Sequence, residues 1–153
     1  MEKLVVIAGS PNTGKTVAAN LTIKKLIATG YSFRNFKPSM FWNKKDKYGE
    51  ETCGGSVVLE KDGKTIVVIS FGDIVFDLEN EFKNINLDKI HTLVCCSHAT
   101  RGKKVFDYFH AFIGSLDINK VKILPIYKNL ISHHNRNKQE NEQISDIICD
   151  WIK

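Results

Sequence analysis

The stretch that most restricts the possible folds is a glycine-containing loop between two strongly patterned segments. Gly9–Thr16 reads Gly-Ser-Pro-Asn-Thr-Gly-Lys-Thr and matches the pattern G-x-x-x-x-G-K-[ST] at every fixed position. The apolar run Leu4–Ala8 before it is typical of a strand buried on both faces. After it, Lys15–Ala28 places apolar residues at helical spacing, and Gly30 is suited to end that helix. The sequence therefore predicts a strand, a loop and a helix in direct succession.

The loop carries the residue types that a bound triphosphate requires. Glycines let the chain curl so that successive backbone N–H groups point at phosphate oxygens. The Lys15 side chain can reach the β- and γ-phosphates, and the Thr16 hydroxyl is placed to coordinate a bridging Mg²⁺. The positive end of the following helix adds to this attraction. We expect nucleotide contacts from Gly9, Ser10, Pro11, Asn12, Thr13, Gly14, Lys15, Thr16 and Val17.

On this motif and its context, the chain resembles the P-loop NTPase superfamily, which includes kinases, GTPases and ATPases. The specific resemblance covers only Gly9–Thr16, and the remaining likeness lies in the order of elements, which many functions share. The resemblance implies Mg²⁺ as cofactor and a nucleoside triphosphate as substrate. We expect ATP, with GTP as the alternative, because no N-K-x-D guanine motif follows Cys95 and Cys96.

The rest of the chain alternates between strand-like and helical runs. Residues 1–153 are expected to form one nucleotide-binding domain. The alternation predicts a three-layer α/β/α fold with a mostly parallel central sheet, and the resemblance implies that this is the P-loop NTPase fold. Ser56–Glu60 and Thr65–Phe71 flank an Asp-Gly turn signal and predict one antiparallel hairpin. Val121–Tyr127 is predicted as the last buried strand. The buried face of a closing helix is predicted to contain Ile144, Ile147, Ile148, Trp151 and Ile152.

Charge, hydropathy and cysteine usage limit the location and the partners. The formal net charge of +5 suits an anionic partner, but nucleotide phosphates satisfy it, so nucleic-acid binding is not specifically indicated. No apolar stretch is long enough to span a bilayer and no secretory signal is evident, so we expect a cytoplasmic protein without a membrane partner. The four cysteines form no zinc or redox signature. Adjacent Cys95 and Cys96 in a strand should face opposite ways.

Polar residues at the predicted strand ends supply candidate catalytic groups. Asp73 follows a buried strand that ends near Ser70, and it is either a metal-side acid or a helix N-cap. Ser97–Lys104 concentrates positive charge at a helix start, where the macrodipole disfavours cations. Arg101 in that segment either stabilises charge on a transferred phosphoryl group or belongs to a solvated turn. The predicted catalytic residues are Lys15, Arg101 and Asp73, and the predicted metal ligands are Thr16 and Asp73.

Two classes of function fit these residues. The first is a kinase-like enzyme that transfers the γ-phosphoryl group to a small, nucleotide-like acceptor, over which the polar loop Asn43–Gly55 could close. The alternative is a nucleotide-dependent NTPase switch acting through a protein partner, because a hairpin after a polar loop has the element order of small GTPases. The D-x-x-G switch motif is missing near Ser70. His133–Lys138, after the last strand, is a candidate base-contacting loop or an ordinary solvated connection.

Overall fold

The computed structural model describes residues 1–10, 13–34, 44–45, 51–52, 55–70, 79, 82–98, 104–128 and 134–153. Within these ranges a short 3-10 turn, Leu87–Lys89, precedes the seventh strand, and residues 82–84 are helical. The strands and α-helices, in chain order, are β1 (Lys3–Gly9), α1 (Lys15–Ala28), β2 (Ser32–Phe33), β3 (Lys44–Lys45), β4 (Glu51–Thr52), β5 (Ser56–Lys61), β6 (Lys64–Ile69), β7 (Thr92–His98), α2 (Lys104–Gly114), β8 (Lys122–Lys128) and α3 (His134–Ile152).

The main sheet has six strands in the order β2-β5-β6-β7-β1-β8. Strands β6, β7, β1 and β8 are mutually parallel. Strand β5 is antiparallel to both of its neighbours, β2 and β6. Among the described strands of this sheet only β5 therefore runs the other way, which confirms a mostly parallel α/β sheet with one antiparallel hairpin strand. Strands β3 and β4 form a separate two-stranded ladder inside the segment predicted as a loop.

The predicted hairpin forms at the Asp-Gly signal. Asp62 and Gly63 have φ angles of 49° and 77°, which is the positive-φ pair that a two-residue hairpin turn needs. Strand β6 ends at Ile69, and residue 71, the predicted end of this strand, lies outside the described residues. The turn residues therefore predicted the pairing of β5 with β6.

Helices cover both faces of the sheet, which makes three layers. On one face α1 and α3 pack over a core that includes Val5, Ile23 and Ile148. On the other face α2 packs through Phe109 onto Leu93. Cys96 belongs to the first core and Cys95 to the second, so the predicted opposite orientation of the two cysteines is confirmed. None of the helices in the described ranges has the length and apolar character needed to cross a bilayer.

Strand β8 was predicted to be buried, and this prediction is wrong. Among the strands that the structure describes, it lies at the edge of the sheet, and the side chain of Tyr127 is 70% exposed. The Lys122 N–H donates to the carbonyl of Glu2, the residue before β1, so alternation along the strand turns the Pro125 nitrogen away from β1. Proline has no N–H to donate there, which discourages pairing with another chain.

The predicted buried face of α3 needs one correction. Ile144, Ile148 and Ile152 are buried, but Ile147 is 52% exposed. The buried face also includes Asn141, Ser145 and Cys149, which lie on the side of the helix away from Ile147. The apolar pattern alone placed the centre of the buried face about a sixth of a helical turn from its true position.

We expect the three cysteines of the described core to be unreactive in the folded protein. Cys95, Cys96 and Cys149 are buried free thiols. Burial raises the pKa of Cys149 to about 11 and raises the pKa of Cys95 well above its usual range. Since the thiolate is the reactive form, a Cys53→Ser variant near pH 8 should react with dithionitrobenzoate only after unfolding in guanidinium. Rapid labelling of the folded variant would contradict this.

Candidate functional site

The loop Gly9–Thr16 begins at the end of β1, which lies between its two parallel neighbours β7 and β8. Gly9, the last residue of β1, is in register with His98 on β7 and with Lys128 on β8. A Cβ at Gly9 would lie 2.8 Å from the Lys128 carbonyl oxygen and 2.7 Å from Thr13 Oγ1. Only glycine fits this approach. The loop therefore starts at the carboxyl ends of three parallel strands, where ligands of α/β sheets bind.

Helix α1 begins directly after Gly14 with a bare N-terminus. Gly14 has φ 85°, a left-handed conformation that favours glycine, and its carbonyl accepts from the Ala18 N–H at 3.0 Å. The helix has no side-chain cap and no acidic residue in its first turn. Its first N–H groups and its partial positive charge thus face the loop without a capping side chain. The predicted succession of strand, loop and helix is confirmed.

The Lys15 ammonium lies folded across the loop. Lys15 is 7% exposed, and its Nζ donates to the carbonyl oxygens of Gly9 at 3.2 Å and Ser10 at 2.9 Å. Thr13 Oγ1 donates to the same Ser10 carbonyl at 2.9 Å. Within the ranges that the structure describes, no carboxylate pairs with Lys15. A buried cation that contacts only neutral oxygens favours the approach of an anion.

The Thr16 hydroxyl connects the first turn of α1 to the hairpin. Thr16 Oγ1 donates to the Ser70 carbonyl oxygen at 2.9 Å. The Ser70 hydroxyl in turn donates to the Gly55 carbonyl at 3.1 Å and accepts from the Gly55 N–H at 3.2 Å. Ser70, predicted at the strand end, is thus brought beside Thr16, but its carbonyl rather than its hydroxyl makes the contact.

A second buried lysine lies next to the loop, and the sequence patterns did not single it out. The Lys128 side chain is 0% exposed, and its Nζ lies 2.7 Å from Glu140 Oε2 on α3. Burial lowers the pKa of Lys128, Glu140 raises it, and the charge of Lys15 lowers it further. The two lysines therefore repel each other beside Gly9. An anion bound between them would stabilise both protonated forms.

Two asparagines of α3 cover the other end of the loop. An ideal Cβ at Gly14 would lie 3.0 Å from Asn141 Nδ2 and 3.3 Å from Asn137 Oδ1. Asn137 lies in the segment His133–Lys138, which was predicted as a loop but is helical from His134 onward, and Asn141 was not predicted. Their i, i+4 spacing on a helix after the last parallel strand is the sequence signal that could have found them.

Some predicted site residues lie outside the described part of the chain. Asp73, Arg101, Pro11 and Asn12 are among them, so their roles stay predictions. The other predicted nucleotide contacts share the loop and the first turn of α1. Ser97 and His98, which were predicted in the basic segment at a helix start, instead end strand β7, and His98 is 9% exposed. The described residues contain no group of three or more His, Cys, Asp or Glu side chains able to hold a metal ion.

Comparison with protein-family models, with curated proteins and with solved structures found no significant match to this chain. The candidate site is therefore interpreted from its own residues and geometry.

Gly9→Ala should destabilise the fold through steric contact alone. The added Cβ meets the backbone oxygen of Lys128, which cannot move without disturbing β8. We expect the free energy of unfolding in urea to fall by about 1–3 kcal/mol. Gly114→Ala is the control, because nothing lies within 4 Å of its added Cβ. Equal free-energy changes in the two variants would show that the contact at Gly9 is unimportant.

Removing the counterion of Lys128 should also destabilise the fold. Glu140→Gln leaves the buried Lys128 ammonium unpaired, and we expect a loss of about 3 kcal/mol, since the Glu140 side chain is 25% exposed. Lys128→Met combined with Glu140→Gln should lose less than the sum of the single variants. Asp150→Asn breaks an exposed pair with Lys153 and should destabilise the fold far less than Glu140→Gln. Additive losses in the double variant would refute the coupling.

Proposed function

We propose that the chain binds a Mg²⁺-bound nucleoside triphosphate at Gly9–Val17, with ATP as the expected nucleotide and GTP as the alternative. The observation that carries the proposal is the concentration of positive charge around Gly9. Lys15 is buried on neutral carbonyls, Lys128 is buried beside it, and α1 presents an N-terminus without a side-chain cap. A triphosphate supplies the negative charge and the acceptor oxygens that these groups lack. The P-loop NTPase fold is part of the same proposal.

The described residues fit a magnesium ion that is shared with phosphate oxygens. Mg²⁺ usually keeps several waters and takes only one or two protein ligands when it is bound with a nucleotide. The Thr16 hydroxyl follows Lys15 in the first turn of α1 and lies against a second oxygen, the Ser70 carbonyl. Thr16 would hold the ion, with Asp73 as the other proposed ligand. Bound there, Mg²⁺ would neutralise charge on the β- and γ-phosphate oxygens.

The proposed reaction is transfer of the γ-phosphoryl group to a small acceptor. The bond between the γ-phosphorus and its bridging oxygen breaks, so that the nucleoside diphosphate leaves, while the acceptor hydroxyl oxygen bonds to the γ-phosphorus and its proton passes to solvent. Lys15 would move from the Gly9 and Ser10 carbonyls onto phosphate oxygens and hold them in line. Arg101 would stabilise the charge that develops on the transferred group. The positive charge of the segment Ser97–Lys104 favours a small anionic acceptor.

A nucleotide-dependent switch is the second candidate, and one contact favours it. The Thr16 hydroxyl reaches the hairpin through Ser70 and Gly55. If Thr16 turns toward a metal ion, it releases the Ser70 carbonyl, and the ends of β5 and β6 lose a contact with α1. The nucleotide state would then alter the surface that the hairpin offers to a protein partner.

Lys15→Met should remove nucleotide binding without unfolding the protein. Lys15 is the one cationic side chain of the loop Gly9–Thr16. We therefore expect the affinity for Mg-ATP and Mg-GTP, measured by calorimetry, to fall at least about 100-fold, which corresponds to about 2.7 kcal/mol of binding free energy. Lys122→Met is the control, because Lys122 is exposed at the opposite end of the sheet. Unchanged affinity in Lys15→Met, with both variants folded, would overturn the phosphate site.

The fate of the γ-phosphate separates the two candidates. The protein is incubated with γ-labelled Mg-ATP or Mg-GTP and a panel of small hydroxyl-bearing acceptors. Label in an acceptor supports the kinase. Free phosphate without transfer contradicts it and identifies an NTPase, while intact nucleotide binding with neither product favours a switch that needs its partner.

A further inference from the structure

Helix α3 places two amide groups directly on the phosphate loop. Asn137 and Asn141 are one helical turn apart, so they share a face of α3. An ideal Cβ at Gly14 would lie 3.0 Å from Asn141 Nδ2 and 3.1 Å from Asn141 Oδ1. Because the two distances are nearly equal, the Asn141 amide lies over the Gly14 Cα with both polar atoms beside the loop. Asn137 Oδ1 is 3.3 Å from the same point.

Both amides keep hydrogen-bonding capacity at this place. Asn137 Oδ1 and Asn141 Oδ1 are buried and have no hydrogen-bond partner among the described residues. Asn141 as a whole is only 4% exposed. Buried hydrogen-bond acceptors normally have a donor. A buried acceptor without a donor destabilises the fold, so its presence calls for an explanation other than packing. Turning either amide over exchanges its oxygen for an NH₂ group and leaves the same need for a partner.

The sheet order fixes which end of a nucleotide would meet these amides. Thr16, the proposed metal ligand, contacts Ser70 at the end of β6. Helix α3 follows β8, which lies on the other side of β1 from β6. A triphosphate lying across the loop would therefore have its γ-phosphate toward β6 and its nucleoside toward α3. The buried Lys128–Glu140 pair holds α3 in this position, since Glu140 directly precedes Asn141.

We propose that Asn137 and Asn141 bind the nucleoside half of the nucleotide, a specificity contact that rests on the proposed nucleotide-binding function. An asparagine amide presents one donor and one acceptor side by side, which matches the exocyclic amine and the adjacent ring nitrogen of adenine. Ribose hydroxyls offer the same donor and acceptor chemistry. The ligand class is a nucleoside with a polar edge, and adenosine is the expected member.

The test compares Asn141→Leu with wild type in calorimetric titrations of Mg-ATP and Mg-tripolyphosphate. Leucine has nearly the same volume and removes the buried acceptor, so stability in urea should be unchanged or higher. We expect the affinity for Mg-ATP to fall about tenfold and the affinity for Mg-tripolyphosphate to stay unchanged. Gln143→Leu is the matched control, because it removes an exposed amide from the same helix and should change neither affinity.

Further nucleotides distinguish the two sources of the contact. If Asn141 reads the base, Asn141→Leu should lose the wild-type preference for ATP over inosine triphosphate. If it binds the ribose, the variant should lose the preference for ATP over 2′-deoxy-ATP or 3′-deoxy-ATP. Either result supports a nucleoside contact.

Other outcomes overturn the inference. Equal affinities of wild type for Mg-ATP and Mg-tripolyphosphate would contradict any nucleoside contact while leaving the phosphate site intact. A nucleoside contact is also contradicted if Asn141→Leu lowers the affinities for Mg-ATP and Mg-tripolyphosphate equally, or lowers neither. Failure of wild type to bind Mg-ATP, Mg-GTP and Mg-tripolyphosphate would instead remove the proposed function, and the inference with it.

Discussion

The contact between Gly9 and strand β8 is the constraint on which the rest of the site depends. The Gly9 Cα passes so close to the Lys128 carbonyl that no side chain fits, and this closeness results from the parallel pairing of β1 with β8. Because β7 pairs on the other side, the loop emerges from the middle of a parallel row. The direction in which α1 leaves, and the carbonyls that receive the Lys15 ammonium, follow from this starting point.

The same end of the molecule contains several groups that do not favour folding. Lys15 is buried without a carboxylate partner among the described residues. Lys128 lies close enough that the charge of Lys15 lowers its pKa. Asn137 and Asn141 bury acceptor oxygens that find no donor in the described ranges. Charges and polar groups of this kind cost stability unless something satisfies them. These groups are concentrated around one loop, whereas the cores on both faces of the sheet are apolar.

Much of the local structure could be predicted because its determinants are neighbours in the chain. The bounds of α1, the turn at Asp62 and the opposite orientation of Cys95 and Cys96 depend on glycine, on turn chemistry and on strand alternation. The predictions for Tyr127 and Ile147 were wrong for a common reason. Whether an apolar residue is buried depends on which strand forms the edge of the sheet and on which side of a helix faces the core. The pattern of apolar residues along the chain gives neither piece of information.

By itself, the sequence determined the glycine-containing loop Gly9–Thr16, the helix that follows it and the alternating α/β character, because each depends on residue types at short spacing. Tertiary structure alone decided the strand order, and with it the place of Ser70 beside Thr16. It also decided the pairing of Lys128 with Glu140, and the position of α3 over Gly14. These contacts join residues from separate elements, and their distances are set by how the sheet and helices pack rather than by any spacing along the chain.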